Sequence, residues 1–575
     1  LEFCSRCVTP RSSGYPGPVE QVHPIYELSN EIVEDLARTF PDLATELGVA
    51  GYDDKWTDFS PEGAEEAFRL LRRLRSRVDA LPPPQTDWDR LAVELAKATL
   101  DEEAAWFEHL DHLRNLNSMA SALQSIREVW DHMGRNSAEE WANIVYRLER
   151  LPAALDGYRA SLDEGRRRGM AVAERQVRAA VEQCRFSESD DSRYVGMLDE
   201  YEAASLDGVL RGQLENAVAD ARRAFGKFAD YLAGTYAIDA AERDAVGRDR
   251  YVRAAYEFLG SNIDPLETYE WGWEQVVAIR AHMERIANEI SSGAHIAEVH
   301  DLLRTDPTRT VATAADLKAF AEDRLNAALE RLSGTHFDVP VPIQEVIVNI
   351  APPGSSLGAY YVGPSEDFTR PGSVWWSLSP QGPYPVFDEV TTAYHEGFPG
   401  HHLQVGIQIS LAEKLSRLHR LWVWKSGTGE GWALYAERLM SEWGFFEKPD
   451  YVFGWLSGQM LRACRVVIDI GSHLELPIPA GQPFRPAEEW TYEAAVQMLE
   501  DYAMLNRPSA ESEVTRYLGW PGQAISYKVG EQAILDIRDE LRRKRRVEFD
   551  EKAFHAQLLE VGPVGLDLLR SELLD

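Results

Sequence analysis

Cysteine is scarce in this sequence. Its 575 residues include four cysteines, at positions 4, 7, 184 and 464. This number is too small for a disulfide framework and fits a reducing compartment. Cys4 and Cys7 have the spacing of metal ligands, but no second such pair completes a zinc ribbon.

Long apolar runs are also absent, so we predict no membrane span. Residues 1–22 are rich in Pro, Gly and Ser and lack the apolar core of a signal peptide. We interpret them as a tail. The chain as given therefore favours a cytoplasmic location, and an exported form whose leader has been removed is the alternative.

Positive charge is in short supply. Lys and Arg number 60 against 94 Asp and Glu, which gives a formal net charge of −34. Such a surface repels the phosphates of nucleic acids and anionic membranes. We therefore predict that neither is a partner. The sequence predicts no particular oligomeric state.

Apolar residues recur at helical spacing from Tyr26 through most of the first half of the chain. We predict a mainly α-helical fold, in which a large helical scaffold carries a small β-sheet beside a pair of active-site helices. The predicted regions are a helical N-terminal region at 23–335 and a catalytic region at 336–575, which together form one unit with a cleft.

The apolar spacing also predicts individual helices and strands. The predicted helices include Ala138–Arg150 and Leu155–Cys184. The predicted strands are Phe337–Pro342, Glu345–Ile350, Gly358–Val362 and Ser373–Leu378.

Histidine is sparse as well, with 14 in the chain, yet the short segment 392–404 holds His395, His401 and His402 together with Glu396. Zinc hydrolases need this combination, because neutral imidazoles hold the metal and a carboxylate beside them takes a proton from water. The segment predicts a metal site.

The spacing of these histidines differs from the helical H-E-x-x-H motif, because Pro399 stands one turn after His395. In a regular helix neither His401 nor His402 would reach a metal bound by His395. Pro399 and Gly400 permit a bulge. Looping out two residues would return His401 to the ligand position, and looping out three would return His402. We predict His401, with His402 as the alternative.

A third ligand is predicted downstream. Glu430 begins the segment E-G-W-A-L-Y-A-E, which reads as a helix and ends with Glu437 two turns later on the same face. This segment resembles the second-helix motif of the gluzincin aminopeptidases, E-G-F-A-x-Y-x-E, whose first Glu is the third zinc ligand.

The chain as a whole resembles the bacterial domain-of-unknown-function (DUF) family 885. The signature of that family is close to Y-H-E-G-x-P-G-H-H-L-Q followed by E-G-W-A-L-Y-A-E, and this sequence carries both motifs. The likeness continues through 462–473 and 516–530 and spans nearly the whole chain after the tail. It implies a zinc peptidase or carboxypeptidase-like protein with a helical, gluzincin-like catalytic half. Many members are exported lipoproteins.

We predict that zinc is held by His395, His401 and Glu430, which leaves a position open for water. His and Glu ligands also suit other first-row metals. Glu396 is the predicted general base and the later proton donor to the leaving amine.

Further roles follow from residue type. The candidates for stabilising an oxyanion are Tyr527 and His473. The candidates for substrate binding are Arg516 and Arg370, through a substrate carboxylate, and Tyr361, on a β-like segment. The residues expected to orient metal ligands are Gln404, Glu437 and Asp469.

The predicted function is a zinc-dependent hydrolase that cleaves short peptides, as an oligopeptidase or a carboxypeptidase-like enzyme. One alternative is an inactive peptide-binding or scaffold protein with a degenerate metal site, because Pro399 stands where a ligand is usual. Another is a metal-dependent amidase or esterase that acts on a non-peptide substrate.

Overall fold

The computed structural model describes residues 22–205, 208–351, 358–379 and 381–574. Helices account for 67% of the structure, and the strands are few and short. The prediction of a mainly α-helical fold is therefore confirmed. Residues 1–21 of the predicted tail, with Cys4 and Cys7, lie outside the described residues.

The first part of the chain is built from helices of very different length. In chain order they are α1 Ile25–Thr39, α2 Pro41–Glu46, α3 Pro61–Asp79, α4 Asp87–Glu108, α5 Ala122–Glu128, α6 Ala138–Arg167, α7 Glu174–Glu188, α8 Arg193–Ala203, α9 Arg211–Gly234, α10 Arg248–Leu259, α11 Pro265–Ile290, α12 Ile296–Thr305 and α13 Ala314–Leu332.

Helix α6 runs through Pro152, so the predicted break between Ala138–Arg150 and Leu155–Cys184 is wrong. An internal proline costs a helix about 3 kcal/mol. Leu148 and Leu151 before it and Leu155 after it are all buried on the same core, and this packing outweighs the local cost. The break falls instead between Arg167 and Glu174, around Gly169, whose φ is +71°.

The second part of the chain carries the sequence motifs. Its helices are α14 Glu389–Glu396, α15 His401–Ser410, α16 Arg417–Leu421, α17 Ser426–Glu442, α18 Pro449–His473, α19 Tyr492–Asp501, α20 Arg507–Gly519, α21 Ser526–Arg545, α22 Glu551–Val561 and α23 Leu566–Leu574.

Two small sheets accompany these helices. The strands are β1 Thr310–Val311, β2 Ile347–Ile350, β3 Ala359–Val362, β4 Ser373–Trp376 and β5 Tyr384–Pro385. Strand β4 lies between a parallel β2 and an antiparallel β3, with Val374 opposite both Val348 and Tyr361. Strands β1 and β5 pair antiparallel.

The strand predicted at Phe337–Pro342 is wrong. Phe337 forms only an isolated bridge with Ser333, and Val341–Ile343 is a 3₁₀ turn. Pro340 and Pro342 have no N–H to donate to a ladder, so an apolar run containing both cannot pair as an interior strand. The other three predicted strands correspond to β2, β3 and β4 with shifted ends.

The largest hydrophobic core surrounds the motif helices. It includes Trp273, Leu332, Phe337, Phe398 and Trp432, so it extends without interruption across position 335. The division of the chain at that position stays a prediction. A separate core joins α6, α7 and α9.

Helices α17 and α21 touch through glycines. A Cβ on Gly431 would lie 2.7 Å from the Cα of Gly530, and a Cβ on Gly530 would overlap the carbonyl oxygen of Gly427. Only glycine permits this close approach of two backbones. The contact brings α17, which carries Glu430, next to α21, which carries Tyr527.

Within the described parts of the chain, no helix combines the length and apolar character that a membrane crossing requires. This agrees with the prediction of no membrane span.

We expect Gly530→Ala to lower the midpoint of thermal unfolding, because its Cβ would collide with the backbone of α17. Overpacking of this kind costs about 1–3 kcal/mol. The matched control is Gly196→Ala in α8, where a Cβ meets open space and should stabilise the helix by about 0.5–1 kcal/mol. Equal midpoints for the two variants would contradict the close contact.

Candidate metal centre

The helix that contains His395 is interrupted directly after Glu396. Helix α14 ends there and α15 begins at His401. Gly397 and Gly400 have ψ values of −125° and −127°, which side chains disfavour. A Cβ on Gly400 would overlap the carbonyl oxygens of His395 and Tyr394.

The interruption is held from the other side by Trp432, whose Nε1 donates to the carbonyl oxygen of Pro399 at 3.0 Å. The predicted bulge is thus a complete break between two helices. Its effect is the one predicted for a bulge of two residues, because the break returns His401, and not His402, to the side of His395.

His395, His401 and Glu430 form one cluster, in which the candidate ligand atoms all lie within 4.8 Å of one another. The Oε2 atom of Glu430 is 3.3 Å from Nε2 of His395 and 3.5 Å from Nε2 of His401. A tetrahedral centre with bonds of about 2.0–2.1 Å separates its ligand atoms by about 3.3–3.4 Å. The two separations between the carboxylate and the imidazoles therefore match those of a tetrahedral zinc site.

The Oε2 atom of Glu430 is buried and has no hydrogen-bond donor in the described structure. Its contacts with the two imidazoles lack hydrogen-bond geometry. Burial would raise the pKa of Glu430, but the two imidazoles outweigh burial and lower it. A buried anionic oxygen that faces two nitrogen atoms without a hydrogen bond fits a cation placed among them. Two imidazoles and one carboxylate are also a known catalytic zinc ligand set.

Both imidazoles are oriented through their other nitrogen. Nδ1 of His395 lies 2.7 Å from Oε1 of Glu437, and Thr391 donates to Oε2 of the same carboxylate at 2.6 Å. Nδ1 of His401 lies 3.4 Å from Oε1 of Gln404. With the proton on Nδ1, each imidazole presents Nε2 as a ligand atom. The structure thus places Glu437 and Gln404 where the sequence analysis expected them.

The cluster is electrostatically suited to a cation. Burial lowers the pKa of His395, but the nearby carboxyl groups of Glu430 and Glu437 outweigh burial and raise this pKa to about 10. Burial also raises the pKa of Glu396, and Glu430 adds to that effect while the imidazoles oppose it. Negative carboxyl groups near His395 stabilise any positive charge placed there. They therefore favour a divalent cation at the cluster as they favour a proton on His395.

His402 points away from the cluster. Its Nε2 lies 2.9 Å from the carbonyl oxygen of Ile343, and its Nδ1 lies 3.2 Å from the hydroxyl of Tyr361. Both ring nitrogens are therefore engaged. The structure brings His401 to His395 and Glu430, and it does not bring His402 there.

Glu396 and Tyr527 both lie close enough to the cluster to interact with it electrostatically. Glu396 interacts electrostatically with His395, His401 and Glu430. Tyr527 interacts with Glu430, and burial is the main cause that raises the pKa of its phenol. The phenol therefore keeps its proton at neutral pH and can act as a donor.

His473 does not join the cluster. It is fully buried, its Nε2 donates to the carbonyl oxygen of Tyr517 at 3.0 Å, and its ring packs against Tyr251. Burial lowers the pKa of His473 to about 4. The prediction of an oxyanion role is not supported, because the imidazole serves a polar group inside the core. Asp469 lies in the same buried region as His473. It accepts hydrogen bonds from Tyr251 and the backbone of Gly522, and not from a residue of the cluster.

The three predicted substrate-binding residues differ in position. Arg516 is buried and pairs with Glu513 at 3.0 Å, so its guanidinium is already engaged within the protein. Arg370 is exposed on the loop between β3 and β4. The hydroxyl of Tyr361, on β3, contacts His402.

Two residues near the cluster were missed. Thr391 stands one turn before His395 on α14, a spacing that could have revealed its bond to Glu437. The ring of Trp424 lies 5.8 Å from that of His401. Trp424 comes from the segment before α17, and no local pattern in the sequence predicts this contact.

The comparisons with known proteins give a family. The family described as "Bacterial protein of unknown function (DUF885)" matches residues 41–573, which is nearly the whole chain. The chain belongs to this family. No curated protein matches it.

Two solved structures share the fold of this DUF885 protein. One is described as a "putative lipoprotein" from Colwellia psychrerythraea, with a TM-score of 0.82, 19% identity and coverage of 96% of this chain and 98% of the other. The other is a "putative lipoprotein of unknown function" from Shewanella oneidensis, with a TM-score of 0.72, 17% identity and coverage of 96% and 100%. At these identities the likeness concerns the fold.

We expect the purified protein to contain close to one zinc ion per chain and His401→Ala to lose it, because His401 directs Nε2 at Glu430. His402→Ala is the matched control. It should keep the metal, since both nitrogens of His402 bond elsewhere. Elemental analysis after dialysis and zinc addition measures both. Loss of metal in His402→Ala alone would contradict the ligand set.

Proposed function

We propose that this DUF885 protein is a zinc-dependent peptidase that hydrolyses short peptides. The observation that carries the proposal is the convergence of two imidazole Nε2 atoms on one buried carboxylate oxygen, at 3.3 and 3.5 Å, with Glu396 adjoining the cluster. His395, His401 and Glu430 would hold the metal. A bound zinc ion supplies Lewis acidity, which lowers the pKa of water and polarises a carbonyl group.

Glu396 acts as the general base in this proposal. It follows His395 in sequence, and its carboxyl group interacts with His395, His401 and Glu430. It takes the proton from the attacking water and later gives a proton to the leaving amine. Burial raises the pKa of Glu396 and so brings it nearer to neutral pH, where a group that both accepts and donates is most effective.

Tyr527 supplies a hydrogen bond to the oxygen of the scissile carbonyl. Its phenol is protonated at neutral pH because burial, with Glu430 adding, raises its pKa. A donor fixed in a partly buried site stabilises the charge that develops on that oxygen, and it needs little reorganisation during the reaction.

The small sheet favours a peptide over other amides or esters. Strand β3 is at the edge of its sheet, and in the described residues it pairs only with β4. Tyr361 on β3 reaches His402, which adjoins the ligand His401. An extended peptide can add to such an edge by backbone hydrogen bonds. An amidase or esterase acting on a non-peptide substrate would not need this edge.

The alternative of an inactive protein depended on Pro399. That residue lies in the interruption between α14 and α15, and its carbonyl oxygen accepts the bond from Trp432. Pro399 is therefore part of the turn that returns His401 to His395. This arrangement supports an intact ligand set rather than a degenerate one.

The cytoplasmic location stays a prediction. The exported form is the alternative that the descriptions of the two structural neighbours favour.

We expect Glu396→Gln to lower kcat on a short peptide by about 100- to 10,000-fold, because the base is lost while the metal ligands remain. The matched control is Glu389→Gln on the same helix. Glu389 accepts a hydrogen bond from Trp376 at 2.8 Å, and a glutamine can keep that bond. Metal content should stay the same in both variants. Full activity in Glu396→Gln would remove this residue from the mechanism.

We expect Tyr527→Phe to lower kcat by about 100- to 1,000-fold with little change in KM, because the lost hydrogen bond forms mainly in the transition state. Steady-state kinetics on the same peptide separates the two constants. A rise in KM alone would assign Tyr527 to ground-state binding, and an unchanged kcat/KM would assign it to packing.

A further inference from the structure

One side of helix α18 carries two arginines next to Tyr527. Arg462 and Arg465 are three residues apart and therefore lie on the same face. The Cζ atoms of these guanidinium groups are 5.9 and 4.7 Å from the centre of the Tyr527 ring. Positive charge thus flanks the phenol, which also interacts electrostatically with Glu430.

The charge of Arg465 is only partly balanced. Its Nη2 lies 2.8 Å from Oε2 of Glu513, and Arg516 reaches the same oxygen at 3.0 Å. Burial would raise the pKa of Glu513, but the two arginines outweigh burial and lower it. One carboxylate therefore serves two guanidinium groups, and one positive charge remains. Nη1 of Arg465 is buried without a hydrogen-bond partner in the described structure.

Arg462 has a different environment. Its Nη1 donates to the carbonyl oxygen of Gly458, one turn earlier, at 3.3 Å. Among the residues that the structure describes, no carboxylate lies within ion-pair distance of Arg462, and its side chain is only partly buried. It interacts electrostatically with Glu396 and with Tyr527. A guanidinium has five N–H donors, and the one hydrogen bond to Gly458 leaves most of those of Arg462 free for a ligand near Tyr527.

We propose that Arg462 binds the C-terminal carboxylate of the peptide substrate, so that the enzyme acts near a free C-terminus. This inference rests on the peptidase function proposed above. The planar fork of arginine matches a carboxylate in a two-point contact. Arg465 and Arg516 act as positioning residues, because with Glu513 they leave positive charge behind the Tyr527 ring.

The assignment replaces the two arginines chosen from the sequence. The guanidinium of Arg516 already bonds Glu513 and the side chain of Gln523. Arg370 lies on an exposed loop, where its charge interacts with Tyr361 and His132. Arg462 combines a free charge with electrostatic contact to both Glu396 and Tyr527.

The test compares one short peptide as the free acid and as the C-terminal amide. We expect the wild type to have a higher kcat/KM for the acid. In Arg462→Gln the acid-to-amide ratio should fall by about 10- to 150-fold, as expected when a charge-assisted contact is lost, mainly through KM. Arg462→Lys keeps the charge without the fork and should give an intermediate ratio. The matched control, Arg543→Gln at the exposed end of α21, should leave the ratio unchanged.

Two outcomes overturn the proposal. One is equal cleavage of acid and amide by the wild type. The other is an unchanged ratio in Arg462→Gln with both rates reduced, which would place Arg462 at the reacting carbonyl.

A binding measurement separates this inference from the function on which it rests. In Glu396→Gln the acid peptide should bind more tightly than the amide by calorimetry, and Arg462→Gln in that background should remove the difference. If no peptide is hydrolysed but this difference is present, the peptidase function fails and carboxylate binding stands. If neither form of the peptide is preferred in binding, the inference fails whatever the activity.

Discussion

The site depends on one buried oxygen atom, Oε2 of Glu430. An ionised carboxylate away from water is costly unless hydrogen bonds or an opposite charge compensate it. Glu430 has no hydrogen bond to this atom and faces two imidazole nitrogens at 3.3 and 3.5 Å. A divalent cation among the three atoms would compensate the carboxylate and use the nitrogen lone pairs at once. Each of the helices α14, α15 and α17 supplies one of these atoms.

The fold brings these atoms together through residues that have little or no side chain. Gly400 lies against the carbonyls of His395 and Tyr394, and Gly431 lies against Gly530. The first contact turns the chain between two ligands, and the second brings the helix of the third ligand against the helix of Tyr527. Side chains at these positions would separate the helices. The approach of these helices around the cluster is therefore fixed by contacts between backbones.

The sequence predicted the parts of the site that depend on local spacing. His395, Glu396, His401 and Glu430 were identified from residue type and helical geometry, and the structure groups three of them as candidate ligands.

The sequence did not predict contacts between distant segments. His473 was a reasonable candidate by type, but its bond to Tyr517 joins residues 44 positions apart and keeps it in the core. Arg462 lies in a segment that resembles the family, yet only the structure shows that no described carboxylate lies within ion-pair distance of it, because Glu513 pairs with Arg465 and Arg516. Helix α6 passes Pro152 because packing on both sides outweighs local propensity.

The positive charge beside Tyr527 contrasts with the net charge of −34 for the whole chain. At physiological ionic strength the Debye length is about 8 Å, so surface carboxylates are largely screened from a site inside the protein. Groups within the site are screened much less. A substrate carboxylate would therefore respond to Arg462 and to the pair Arg465 and Arg516, which share Glu513. The acidic surface is therefore compatible with the carboxylate binding proposed for Arg462, because screening limits the effect of distant charges.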